Sequence, residues 1–406
     1  MMTLLYLLLL PMLSGIGMLG LGPALMAGRA GAAHVVLLLS GLLLPLRGLM
    51  YLLLARRRGN RPGRMSVVLA AVELLLGAGL LLLPQLSVRL FAVVVAVYLT
   101  LLVTVEAVNA ILYGRMRRWG AFFPAMAAAV GGTGLFVLIV FVPALRDAAL
   151  RYTAALLLTV FGTGLVCDVL ALTIRVRRVL GSIRVALPDL MSLFLPQRTA
   201  DVLPRAPLGP VPQQGTEEFE LLFQTSAHGI GLVGHCELCF DGRTLTYGAY
   251  DPAHQRLLRT VGAGIVFSAP REPYLRWCIG THHRRVISYS LRLPPAQAAQ
   301  LRAELERFRQ TLSPWQPEAL PEDCFAGRLR RLGGVRFWRV QRGPYATYFI
   351  PTINCVSLTN KLLEKTDIGR TVMLGLKTPG AYLDLLEREY LAGNPVVTAR
   401  RVYDRI

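Results

Sequence analysis

The sequence predicts a two-domain chain, an all-α polytopic membrane domain followed by an α+β domain, and three observations predict it. Hydrophobic residues make up 54% of the 406 and the mean hydropathy is +0.49, too apolar for a chain that meets water throughout. Six apolar stretches of spanning length fall in the first half. The charge then changes in kind: residues 1–216 carry 19 basic and 6 acidic side chains, and residues 217–406 carry 25 and 18. The second half is an ordinary, mildly basic globular composition. A pI near 10.4 does not make nucleic acid a partner, because the arginines border apolar runs as membrane-edge charges do and no nucleic-acid module is visible.

The apolar stretches lie at about 4–26, 33–54, 65–84, 88–113, 121–145 and 151–174, each long enough for one transmembrane helix. Arginines cluster after the second (Arg56, Arg57, Arg58, Arg61, Arg64), the fourth (Arg115, Arg117, Arg118) and the sixth (Arg175, Arg177, Arg178, Arg184). The positive-inside rule makes that side cytoplasmic, so the second half emerges into the cytosol. A cleavable signal peptide ending near Ala24–Ala27 is the weaker reading of the first stretch, because no lysine or arginine precedes it.

The membrane half also repeats. Leu-Gly-Pro23-Ala-Leu, Leu-Pro84-Gln-Leu and Val-Pro143-Ala-Leu stand 61 and 59 residues apart, each ending the first helix of a hairpin, which predicts three helical hairpins within residues 1–178. This glycine-studded, proline-ended pattern resembles the HdeD-type acid-resistance membrane proteins, a likeness that implies six helices.

Away from the span ends, four charges fall inside the spans: Arg47, Glu73, Glu106 and Asp168. Each lies seven to nine residues from an arginine at the cytoplasmic end of its helix. At ~1.5 Å per residue they share one depth, roughly 10 to 14 Å in. Such charges should face one another or water. They are read as an ion-pair network fixing helix packing, with a polar pocket for a head group, an ion or protons as the alternative.

Residues 179–216 hold six prolines (Pro188, Pro196, Pro204, Pro207, Pro210, Pro212) with little periodicity, which predicts a semi-rigid linker. In residues 217–406, alternation predicts strands at 219–225, 235–240, 243–250, 260–267, 285–293, 335–340 and 395–402. Helices are predicted at 295–312, 354–366 and 379–391, the last with Thr378 as N-cap and Pro379 in its first position.

Two short motifs carry the chemistry. In Y-A-T-Y-F-I-P-T-I-N-C-V-S-L-T-N-K, an extended run stops at Pro351 and Asn354 caps a helix whose first turn holds Cys355. The positive end of a helix favours thiolate over thiol, as a nucleophile requires. Some 120 residues earlier, in G-H-C-E-L-C-F-D-G, His235 opens a strand that turns at Asp241-Gly242. A Gly-His at a strand start followed by an Asn-Cys at a helix start resembles the circularly permuted papain-like fold, the group of NlpC-type amidases and lecithin:retinol acyltransferase relatives. The resemblance implies Cys355 as nucleophile, His235 as general base and no cofactor. A third group orienting the imidazole is expected; Asp251 is the choice, with Glu237 and His228 as alternatives.

Taken singly, a cysteine at a helix start is usually a small buried residue and a strand histidine a satisfied one. Cys236 and Cys239 face opposite sides of a strand, so C-x-x-C predicts no metal site. The expectation is a bacterial-type inner-membrane protein in the lipid bilayer, whose cytosolic thiol hydrolase or acyltransferase acts on an acyl-lipid, acylated protein or peptide. The alternative is a non-enzymatic stress or acid-resistance type, with the soluble domain a binding or regulatory module.

Overall fold

The computed structural model describes residues 10–28, 30–57, 64–172, 184–186, 196, 199–200, 203, 218–226, 233–316, 324–364, 366, 371–373, 377–391 and 393–404. The chain divides into two compact units, Met1–Leu170 and Ala171–Ile406.

Unit 1 is helical: α1 (Leu10–Met26), α2 (Ala30–Arg57), α3 (Arg64–Leu82), α4 (Pro84–Arg115), α5 (Trp119–Phe141) and α6 (Pro143–Leu172). These helices are apolar around most of their circumference, and Leu75, Leu82, Val130 and Phe141 project outward. Their hydroxyls are satisfied internally: Thr104 Oγ1 donates to Thr100 O (2.7 Å) and Thr133 Oγ1 to Ala129 O (2.7 Å). Arg146 folds back on the end of α5, donating to Ile139 O (2.8 Å) and Val140 O (3.1 Å), carbonyls that the helix leaves open there.

Three segments are long and apolar enough to cross a membrane among the described residues: Val95–Arg115, Trp119–Phe141 and Pro143–Cys167. Met12–Met26 and Ser66–Leu82 are shorter apolar helices. Six spans are thus corrected to three by this measure.

The hairpin pairing also differs from the expected one. Glycines mark the close approaches. A Cβ on Gly41 or Gly48 of α2 would meet Leu81 or Ala70 of α3, one on Gly132 of α5 would meet Val103 of α4, and one on Gly162 of α6 would meet Gly15 and Met18 of α1. The tight pairs are therefore α2 with α3, α4 with α5, and α1 with α6, each offset by one helix from the proline repeat. Small residues let helix backbones approach, and they decide the pairing where every face is apolar. Pro84 and Pro143 open helices, as proline at a first helical position does, while Pro23 lies inside α1.

Of the four intramembrane charges, Glu73 is buried, its Oε2 3.2 Å from where a Cβ on Gly48 would stand. Glu106 is half-buried and accepts from Asn109 Nδ2 (3.3 Å). Arg47 and Asp168 lie on α2 and α6 with side chains outside the described set.

Unit 2 contains β1 (Arg184–Ala186), β2 (Glu218–Thr225), β3 (His235–Phe240), β4 (Arg243–Gly248), β5 (Val261–Ala263), β6 (Ile265–Pro270), α7 (Arg271–Gly280), β7 (Arg285–Arg292), α8 (Pro295–Arg309), β8 (Leu312–Pro314), α9 (Phe325–Arg330), β9 (Arg336–Val340), β10 (Thr347–Phe349), α10 (Cys355–Leu362), β11 (Thr371–Met373), α11 (Pro379–Leu391) and β12 (Val397–Tyr403). Eight strands form one antiparallel sheet in the order β12-β7-β2-β3-β4-β6-β9-β8.

Helices cover both faces of this sheet. On one, α8, α10 and α11 bury Leu301, Val356, Leu358, Tyr382 and Leu386 against Phe219, Leu221, Phe223, Cys236, Leu238, Ile287 and Tyr289. On the other, α7 and α9 place Tyr274, Leu275, Cys278 and Leu329 over Leu222, Cys239, Val286 and Phe267. Each fully buried large side chain contributes about 1.5–3 kcal/mol. Strand alternation sorts β3 between these layers, so Cys236 and Cys239 go to opposite faces.

The strand expected at 260–267 divides at Gly264, where a Cβ would lie 1.9 Å from Tyr345 O. There the chain leaves its pairing with β10 and joins the large sheet beside β9. Part of the expected linker belongs to this unit: β1 pairs in parallel with β11, and Ala200 and Leu203 are buried in its core.

Candidate thiol site

The turn before α10 is built from Phe349 and Ile353, which exchange backbone hydrogen bonds of 2.9 Å. Asn354 then caps α10: its side chain accepts from Ser357 N (3.0 Å), and Ser357 Oγ accepts from Asn354 N (2.9 Å), a reciprocal capping box. Its amide nitrogen also donates to Ile350 O (2.6 Å) and to Lys377 O, so the capping residue is fixed on both sides. Cys355 is consequently the first helical residue.

The thiol faces the sheet rather than solvent, with Cys355 only 3% exposed. Its Sγ receives the backbone N–H of Cys236 at 3.4 Å, with the N–H of Val356 and the Tyr348 hydroxyl close by. Tyr247, Tyr345 and Tyr348 pack edge-on beside it, and Tyr345 OH donates to Ser357 O (3.0 Å). Burial pushes the thiol up to about 11, and the hydrogen bonds from Cys236, Val356 and Tyr348 only partly offset it. The resting group is a thiol, against the expectation that the helix start would hold it as thiolate.

His235 reaches this region from β3, after Gly234, whose φ of +87° is a left-handed conformation that glycine adopts without strain. The backbones of His235 and Cys355 are thereby adjacent across 120 residues of sequence, since Cys236 N touches the sulfur. The imidazole does not share that contact. His235 pairs with Gln224 of β2 and points, with Glu237, to the face covered by α7, whereas Cys236 points to the α10 face. Its Nε2 lies 3.2 Å from Tyr250 OH and 4.0 Å from Glu237 Oε1. No hydrogen bond joins His235 to Cys355 among the described residues.

Around the imidazole is a connected polar cluster. Gln224 Nε2 donates to Glu237 Oε2 (2.7 Å), Tyr274 OH donates to Glu237 Oε1 (2.7 Å), and Arg284 Nη1 donates to Gln224 Oε1 (2.7 Å). Burial, reinforced by the Arg284 charge, lowers His235 to about 3, so it is a neutral base at pH 7. Burial raises the Glu237 carboxyl to about 7 despite its two hydrogen-bond donors.

Asp251 stands elsewhere. Its carboxylate is engaged by Arg339, by His254 Nδ1 (2.7 Å) and by Ala253 N (3.2 Å), and it caps the short helical turn Pro252–His254. Glu237 and Tyr250, not Asp251, are the polar groups facing His235. His228 lies outside the described residues. Tyr250, Tyr348 and Gln224 were missed in the sequence because nothing in a single strand tells which aromatic or amide will converge on a distant cysteine. Glu237 was legible, two residues from His235 on the same strand face.

No family model, no curated protein and no solved structure matches this chain.

Proposed function

We propose that unit 2 is a cysteine hydrolase or acyltransferase acting on amide or ester bonds, and that unit 1 anchors it, with unit 2 on the cytoplasmic side of a bacterial inner membrane. The observation carrying this reading is the setting of Cys355: a capped helix start, with Sγ on the backbone N–H of Cys236, the residue that follows His235. A donor on the sulfur stabilises the negative charge that develops there as the proton leaves.

In the reaction, the Cys355 proton passes to a neutral base, His235 being the imidazole whose neighbouring residue, Cys236, contacts the sulfur. The sulfur bonds to the carbonyl carbon, and the C–N or C–O bond breaks as the leaving group takes up that proton. Water or an acceptor alcohol or amine then displaces the sulfur from the thioester. With the thiol at about 11 and the imidazole at about 3, the resting pair is uncharged, so proton transfer accompanies attack and does not precede it.

A second reading has one observation in its favour: His235 makes no hydrogen bond to Cys355 among the described residues and faces Tyr250 instead, as suits a binding or regulatory module. Incubating the full-length protein with an activated acyl ester, followed by peptide mass spectrometry, separates the two. The thiol reading expects an acyl adduct on Cys355, its loss in Cys355→Ala, and a slower appearance in His235→Ala. Adducts spread over several cysteines, or none, with no response to either substitution, would leave the binding module in its place.

A further inference from the structure

We propose that the hairpin tip Leu257–Leu258 inserts into an anionic lipid surface. It projects from unit 2 between Pro252–His254 and β5. Leu258 is 95% exposed and Leu257 61%, the two most conspicuous apolar side chains on a unit whose other large hydrophobic residues are mostly buried.

The tip is rigid. Arg256 and Val261 exchange backbone hydrogen bonds (2.8 and 3.2 Å), Thr260 N donates to Leu257 O (3.1 Å), and the Thr260 hydroxyl donates to the same carbonyl (2.6 Å). Below it, Gln255 Nε2 holds Ala249 O (2.6 Å) and Asp251 holds Arg339. Within this frame Leu257, Leu258 and Arg259 all take left-handed φ values, 47°, 55° and 67°. That conformation is unfavourable for side chains of this size, and three in succession persist only where the surroundings over-determine them. The result is a strained turn that directs two leucines outward, where a relaxed turn would take glycine or asparagine.

Charge names the partner. Arg256 and Arg259 flank the leucines and are exposed, and no aspartate or glutamate occurs between Pro252 and Gly264. No acidic side chain pairs with either arginine among the described residues. Leucines at the tip with arginines at its shoulders match the acyl-chain and head-group layers of an anionic leaflet, and the same chain carries helices able to cross a membrane. The tip is also joined to the thiol segment: β5 pairs with β10, and Ile350 N donates to Thr260 O (3.0 Å), five residues before Cys355. Insertion would therefore bring lipid esters towards Cys355. That consequence alone rests on the thiol reading, so the test reads depth and not acyl transfer.

Full-length L258W is reconstituted in vesicles of phosphatidylcholine and phosphatidylglycerol with brominated acyl chains, and its added fluorescence is taken relative to wild type. The expected result is loss of most of that added emission to the bromines, with little quenching by iodide equilibrated on both sides. R256E/R259E in the L258W background is expected to lose the bromine quenching and gain iodide quenching. Added emission quenched by iodide and not by bromine overturns the proposal; emission shielded from both overturns it in favour of a protein contact. Retention of bromine quenching in the double variant would overturn the assignment to an anionic surface. The substituted side chain is almost fully exposed, so folding of the unit does not depend on it.

Discussion

Glu237 shows how one residue can set the pH response of a whole domain. Its carboxyl is fully buried and titrates near 7 in the folded chain against an ordinary value of 4.5. Between those values the folded state binds more protons than the unfolded one, so this group's contribution is intact below about pH 4.5 and falls as pH rises through 7. The loss above that range is on the order of 3 kcal/mol. His235 works in the opposite direction: depressed to about 3, it favours the folded state above 6.5, and that contribution falls as pH drops through 3. Glu237→Gln, which cannot ionise, should therefore leave unfolding of the purified protein almost unchanged at pH 4 and raise its thermal midpoint at pH 8. An equal effect at both pH values would mean that the carboxyl is not held protonated.

Among the elements, the informative one is the break between β5 and β6. Alternation across 260–267 reads as one strand, yet at Gly264 the backbone passes so close to Tyr345 that no side chain fits. Gly264 N donates to Ala346 O (2.9 Å) and Val340 N to Gly264 O (2.9 Å), so the residue joins the β5–β10 pair to the large sheet. Gly264→Ala should displace Tyr345 and the segment leading to Cys355. The expected cost is at the upper end of single substitutions, more than about 4 kcal/mol. Loss of cooperative unfolding of unit 2, or failure to accumulate folded protein, would be the readout; near wild-type stability would show that the two backbones can separate cheaply. Elsewhere in unit 2, β2, β3, β4, β7, β9, β12, α8, α10 and α11 follow the predicted strands and helices closely, since each carries a clear period. The helix α7 was not foreseen: its inward residues Tyr274, Leu275, Cys278 and Ile279 occupy a short segment interrupted by Pro273.

At the scale of the molecule, unit 1 depends on small-residue contacts between helices that share the same apolar character. The approach of α1 to α6 is one such contact, where a Cβ on Gly162 would stand 3.0 Å from the Cβ of Met18. Met18→Cys combined with Gly162→Cys should cross-link on mild oxidation in membranes, seen as a mobility shift reversed by reductant. Absence of the cross-link, with both cysteines reactive to a thiol reagent, would refute the α1–α6 pairing and restore the hairpins suggested by the proline repeat.

Sequence by itself determined what most segments are. Apolar length marks the helices of unit 1, period-two alternation marks the sheet of unit 2, and Asn354 before Cys355 marks a capped helix start, because each of these is encoded by residues close in the chain. Only the tertiary structure decided what meets what. The side of β3 on which His235 lies follows from its register with β2, which turns the imidazole to Tyr250 and Glu237 and leaves the thiol to the backbone of Cys236. The helix pairs of unit 1 follow from where glycines let backbones touch, a three-dimensional coincidence that the 59- and 61-residue repeat does not contain. Even the ionisation of Cys355 is decided there: the capped helix start predicts a thiolate, but enclosure beneath the sheet removes the water that a charged sulfur would need.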